Sequence, residues 1–271
     1  MSADADVTQL GMCPATLLPD LLSPSEDDIA RAVDATVEVG CTEVSVWASH
    51  VPLMGDLSAQ GLHVQVLEGA QAWANGSRAE AEAEADEFSA LAAQLGAPLI
   101  MAFVIDPELA DWDAAQTNLR HLVTAAEGIG ARVCLEFLPF GGIPDLASAW
   151  RMVEPLGPAA TLTIDTWHWT RQAGGPAPDL LSTIPGERIA YVQISDVSPV
   201  PAEIPMLEAG FGRLLPGDGV ADFHTFLDAL WSTGAHPFIA PEVFSQDLVN
   251  DLGPVGAAKA SLDATRTVLH R

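Results

Sequence analysis

The chain has 271 residues, 49% hydrophobic and 18% charged, enough to bury a large core in one large α/β domain or two small ones. Its 37 acidic residues against 11 basic ones give a formal charge of -26, and Lys259 is the only lysine. Such a surface repels phosphate, so nucleic acid and anionic membrane are poor partners.

No stretch reaches the roughly 18 uncharged apolar residues of a membrane span. The N-terminus MSADADVTQL lacks the basic start and apolar core of a signal peptide, so a cytoplasmic location is expected. Cys13, Cys41 and Cys134 are far apart and show no CxxC spacing, which predicts free thiols without a disulfide framework or a zinc cage.

Short apolar runs alternate with helical patterns over almost the whole length, with no linker to mark a boundary, so residues 1–271 read as one domain. The candidate strands are TQLGMC, EVSVWAS, HVQVLEG, LIMAFVI, RVCLEFL, LTIDTW, IAYVQISD and FIAPEVF, eight in all. Between them, SPSEDDIARAVDATVEVG opens with a capping-box pattern at Ser25 and Asp28 and stops at Gly40. HVPLMGDLSAQG is short, holds Pro52 and Gly55, and predicts a loop with about one helical turn.

SRAEAEAEADEFSALAAQLG and DWDAAQTNLRHLVTAAEGIG each begin with a cap-type residue, carry acids in the first turn and end at glycine. DLASAWRMVEPLG, DLLSTIPGER, ADFHTFLDALWSTG and GAAKASLDATRTVLHR complete the helices. Eight strands alternating with helices, near the typical length of 250 residues, predict a (β/α)8 TIM barrel. A doubly wound sheet would carry a glycine-rich phosphate loop after its first strand, and GMCPATLLPD is not one.

Side chains alternate faces along a strand. The pattern turns Val133, Leu135, Leu162, Ile164, Val192, Ile194, Ile239 and Val243 toward the helices. It turns Cys134, Glu136, Thr163, Asp165, Tyr191, Gln193, Ser195, Ala240 and Glu242 inward. Glu136, Asp165, Gln193 and Glu242 thus gather near the C-terminal ends of the last four strands, where barrel enzymes build their sites. Each alone reads more readily as a cap or turn residue than as a ligand, and Asp165 before Thr166 is a natural helix start. Three carboxylates crowded together repel unless a cation sits among them, and a divalent metal is the simplest resolution.

The motifs CLEFLPF, TIDTWHW, YVQISDV, RLLPGDGVADF and APEVF resemble the xylose isomerase-like TIM-barrel superfamily. This is the sugar isomerase/epimerase group, also called AP endonuclease family 2. The resemblance implies metal ligands at Glu136, Asp165, Gln193 and Glu242, and substrate contacts at His168 and Arg213. It also implies a site-lining acid at Asp196. Gln193 stands where the family often has histidine, which makes an all-oxygen ligand set. Hard oxygen donors favour Mn²⁺ or Mg²⁺ over Co²⁺ or Zn²⁺. EFLPFGGIP offers glycines where ketose 3-epimerases carry a further glutamate, which points away from that reaction.

The expected chemistry is isomerisation or epimerisation of a small polyhydroxylated carbonyl compound: a sugar, a cyclitol or a hydroxy-keto acid. A metal polarises the carbonyl, a carboxylate removes the neighbouring proton, and an enediolate forms. Glu136 and Glu242 are the acid/base pair, the role the resemblance also implies, with His168 as an auxiliary acid or substrate hydrogen-bonding group. Trp47 and Trp167 are candidate pocket walls, and Trp169 is an alternative wall or core residue. Phosphate is disfavoured because the late loops, SPVPAEIPMLEAGFGRLLPGDG and SQDLVNDLGP, offer Arg213 and no lysine.

Competing readings are an inosose dehydratase-like lyase, an endonuclease IV-like metal phosphodiesterase, and a barrel without catalysis. A homo-oligomer is compatible with the family.

Overall fold

The computed structural model describes residues 10–270. Seven parallel strands run in chain order around a sheet: β1 (Glu43–Trp47), β2 (His63–Ala70), β3 (Leu99–Ala102), β4 (Arg132–Glu136), β5 (Ala160–Asp165), β6 (Ile189–Ile194) and β7 (Phe238–Pro241). The predicted first strand is reduced to two parallel bridges, Leu10 with Ile239 and Met12 with Val44, and its Thr8 and Gln9 lie outside the described residues. Gly11 N–H donates to Ile239 O at 2.8 Å and Met12 N–H to Glu43 O at 3.0 Å, so this segment joins β7 to β1 and closes a TIM barrel.

Helices cover the outside, and their starts follow the capping pattern. Ser25 and Asp28 form a capping box on the helix Glu26–Glu38, and Ser77 with Glu80 does the same for Arg78–Leu95. Asp111 caps Trp112–Gly128, and Asp145 caps Leu146–Val153. The segment after β1 is a 3₁₀ turn over Ala48–Leu53.

Three expectations change. DLLSTIPGER holds only a helical turn, Pro178–Leu181, because Pro185 lacks the N–H a longer helix needs. The late loop folds a helix of its own, Pro205–Phe211. The last helix begins earlier than predicted, at Gln246, absorbs most of SQDLVNDLGP, and bends where Gly253 (φ 68°) precedes Pro254. No helix among the described residues is long and apolar enough to cross a membrane.

Strand parity holds. Leu135, Leu162, Ile164, Val192, Ile194 and Ile239 pack in the layer beneath the helices. Val66, Leu99, Met101, Cys134, Tyr191, Phe238 and Ala240 fill the barrel interior. This inner layer forms an apolar floor below the C-terminal mouth, and the polar inward residues stand on it.

Candidate active site

Register brings the strand-end residues together. Asp165 of β5 pairs with Gln193 of β6, Gln193 pairs with Ala240 of β7, and Glu136 pairs with Thr163. Glu242 follows β7, its backbone N–H donating to Ile194 O at 2.9 Å. All four side chains are buried.

Asp165 is both a cap and a site residue. One oxygen accepts the His168 backbone N–H at 2.9 Å and caps the helix Thr166–Arg171, while the other accepts from Arg213 Nη1 at 2.6 Å. A carboxylate has acceptor capacity for both. The cap fixes the start of a short helix that carries His168, whose Nε2 lies 3.4 Å from Glu136 Oε1.

Arg213 arrives on the long excursion after β6. Its backbone N–H donates to Phe244 O at 3.0 Å, and its Nε donates to Ala209 O at 2.6 Å. The guanidinium is 3% exposed, and Nη1 lies 2.6 Å from Asp165 and 2.9 Å from Glu242. Gln193 Nε2 donates to Glu242 Oε1 at 2.5 Å. Arg213, assigned to substrate by resemblance, therefore also links two of the expected metal ligands.

The charges respond to this geometry. Burial pushes the Asp165 carboxyl up, but Arg213 and His168 outweigh it and hold the group below the ordinary aspartate value. Burial holds Glu242 well above the usual glutamate value despite Arg213, with Asp165, Glu136 and Glu68 adding repulsion. Arg213 is raised because Asp165 and Glu242 outweigh the cost of burying it.

Glu68 on β2 escaped the sequence reasoning. It shares the inward parity of Val66, so the rule applied to the later strands would have found it. It is buried, and burial pushes its carboxyl up to about 7, with Glu136 adding repulsion and Ser45 and Tyr191 opposing. His50 was also missed. It lies on the turn after β1, buried, and stacks on Trp47 at 5.1 Å between ring centres.

The site residues divide into two groups able to hold a cation. Glu136, Asp165 and His168 each offer a ligand atom within 4.8 Å of the others, and Cys13, Glu68 and Glu242 do the same. The expected set is thus split, with Arg213 between Asp165 and Glu242, and His168 enters as a ligand-capable group. Buried oxygens and nitrogens without partners, Gln193 Oε1, His168 Nδ1 and Glu68 Oε2, supply further unused donor atoms. Glu136, Asp165 and Glu242, all buried, carry two negative charges more than the one guanidinium among them. A divalent ion balances such a centre, and the donors present fit one.

Asp196, expected to line the site, is buried just after β6. Its two oxygens accept the backbone N–H groups of Val197 at 2.8 Å, Gly217 at 2.9 Å, Gly219 at 3.0 Å and Ala221 at 2.8 Å, which pins the PGDG turn. A Cβ on Gly219 would stand 2.5 Å from Asp196 Oδ1, so only glycine permits this approach. Trp167 is fully buried edge-on to His168 at 5.2 Å, with Phe140 behind at 6.4 Å. Trp47 is half-buried against Phe244. Trp169 packs on Phe226 in the outer core.

No curated protein matches the chain in sequence. Among solved structures it resembles an IOLI protein with a bound zinc atom, at 19% identity and a TM-score of 0.80, covering 96% of this chain and 98% of that one. A xylose isomerase domain protein from Alicyclobacillus acidocaldarius is 22% identical, with a TM-score of 0.74 over 96% of this chain and 98% of that one. D-allulose 3-epimerase from Methylomonas sp., in complex with D-allulose, is 18% identical, with a TM-score of 0.72 over 97% and 96% of the two chains. The model of the xylose isomerase-like TIM barrel family matches residues 53–268, and the chain belongs to that family.

Proposed function

We propose that this protein is a divalent-metal-dependent isomerase or epimerase of a small sugar, cyclitol or hydroxy-keto compound. The observation that carries the reading is the buried convergence of Glu136, Asp165 and Glu242 around His168, Gln193 and Arg213 at the C-terminal mouth. Structural relatives that bind zinc or D-allulose support it. Glu136, Asp165, Gln193 and Glu242 would hold the ion, with His168 Nε2 beside Glu136. When bound there, the ion supplies a Lewis acid for a substrate carbonyl.

The chain's own residues do the rest. Glu136 and Glu242 exchange the proton on the carbon next to the carbonyl, one removing it and the other returning it, through an enediolate. Arg213 keeps Glu242 oriented through Nη1, and its Nη2 takes no part in these contacts, which leaves it for a substrate oxygen. His168 stands beside Glu136 to donate to a substrate hydroxyl. Phe140, Trp167 and Phe244 are apolar walls that limit water around the reacting carbon.

Dehydration of a cyclitol on the same site is the second reading, and one packing detail narrows the first. A Cβ on Gly141 would stand 2.1 Å from Val104 O, so the segment after Glu136 has no room for the additional glutamate of a ketose 3-epimerase.

The test is a ¹H NMR screen of keto-sugars, inososes and hydroxy-keto acids in D₂O with Mn²⁺-loaded protein. Hydrogen exchange or epimerisation is expected, lost in Glu136→Gln and Glu242→Gln variants that remain folded. Full exchange in both variants refutes the assignment.

A further inference from the structure

The barrel interior holds a second cluster that the proposed reaction does not use as a unit. Barrel closure places Cys13, at the end of the N-terminal segment, beside β1 and β7. Its sulfur, a Glu68 oxygen and a Glu242 oxygen lie within 4.8 Å of one another. Glu68 is 1% exposed, and its Oε2 has no hydrogen-bond partner. Its Oε1 lies 3.4 Å from the Tyr191 hydroxyl, which lies 3.0 Å from Ser45 Oγ.

We propose that Cys13, Glu68 and Glu242 form a second cation site, of thiolate and carboxylate donors, selective for Zn²⁺ or a similarly borderline-soft ion. An unpartnered carboxylate oxygen in a water-poor interior is costly, and it has three remedies: a water, a proton or a cation. A proton on Oε2 would create a hydroxyl that itself needs an acceptor, whereas an ion uses the free lone pair directly. The sulfur decides the class of ion. Thiolate ligands select zinc-like ions, while the Glu136, Asp165 and His168 group lacks sulfur and presents mainly hard oxygen donors. Ion uptake releases the Cys13 proton to solvent, leaving the thiolate as ligand.

The site is a single-thiolate centre, which a search for CxxC spacing does not detect. It shares Glu242 with the proposed reaction and stands without it. Cys134, also inside the barrel, directs its thiol to Ile100 O at 3.6 Å and belongs to neither group, so it serves as an internal control.

The experiment is a Co²⁺ titration of the metal-free full-length protein, following the thiolate-to-cobalt charge-transfer band in the near ultraviolet. Wild type is expected to develop the band and lose it when Zn²⁺ is added. Cys13→Ser abolishes it, Glu68→Gln weakens Co²⁺ binding by at least about tenfold, and Cys134→Ser and Glu136→Gln leave it in place. Absence of the band in wild type at saturating Co²⁺, or its survival in folded Cys13→Ser, overturns the proposal. Should Cys13→Ser fail to fold, anomalous diffraction from Zn²⁺-soaked wild-type crystals decides. A peak bonded to Cys13 Sγ and Glu68 supports the site, and no peak there overturns it.

Discussion

Arg213 Nη1 lies 2.6 Å from Asp165 and 2.9 Å from Glu242, joining the ends of β5 and β7 through one buried guanidinium. Removing one member of such a buried cluster leaves uncompensated charge, which typically costs about 3–5 kcal/mol. Arg213→Met is therefore expected to lower the urea stability of the metal-free protein by that order. Divalent ions should then raise its melting temperature by more than they raise that of wild type, because the ion replaces the lost positive charge. Equal ion-induced shifts in the two proteins would show that guanidinium and ion do not share these carboxylates.

Glu68 gives the metal-free protein an unusual pH dependence. Its carboxyl is about 7 in the folded state against an ordinary 4.5, so the folded protein binds the extra proton between those values. Stability accordingly falls as pH rises from 4.5 through about 7, by roughly 3 kcal/mol for this group alone. Glu242, also raised, acts in the same direction. Asp165 has the opposite sign: its stabilisation is complete above its ordinary value of 3.8 and is lost as pH falls through its lower folded value. Urea titrations across this range should show the decline, flattened in Glu68→Gln.

Asp196→Ala is expected to destabilise the fold by about 3 kcal/mol, since four backbone N–H groups lose their acceptor. The loss is local. Hydrogen exchange should accelerate at residues 214–221, next to Arg213, before it accelerates in the strands. Uniform acceleration would contradict a loop-holding role.

Trp47 stands half-buried at the mouth, where a ring is available to a sugar C–H face. With a substrate in hand, Trp47→Ala should raise KM by up to about tenfold while kcat changes less, the scale of one aromatic contact. A fall confined to kcat would place Trp47 among the groups that act on the transition state.

The strand ends were legible because the period of two applies to each buried strand separately. Parity turned Asp165 and Gln193 inward on neighbouring strands, and they are register partners. Arg213 was harder, because its position depends on how the excursion after β6 folds back, with the helix Pro205–Phe211 supplying Ala209 O and the segment after β7 supplying Phe244 O. No periodicity in that segment encodes those two contacts. Cys13 is a different case, since nothing local to GMCPAT announces Glu68 or Glu242 as neighbours. Its setting exists only after closure of the ring.

That closure has a temporal consequence. Gly11 leaves the ribosome well before its partner Ile239, so through most of synthesis the outer edge of the N-terminal segment stays without the strand that completes it. Cys13 and Glu242 can meet only at the last step. An ion held between them would act as a clasp on the finished seam, and its capture would mark when a nascent chain has become a closed barrel.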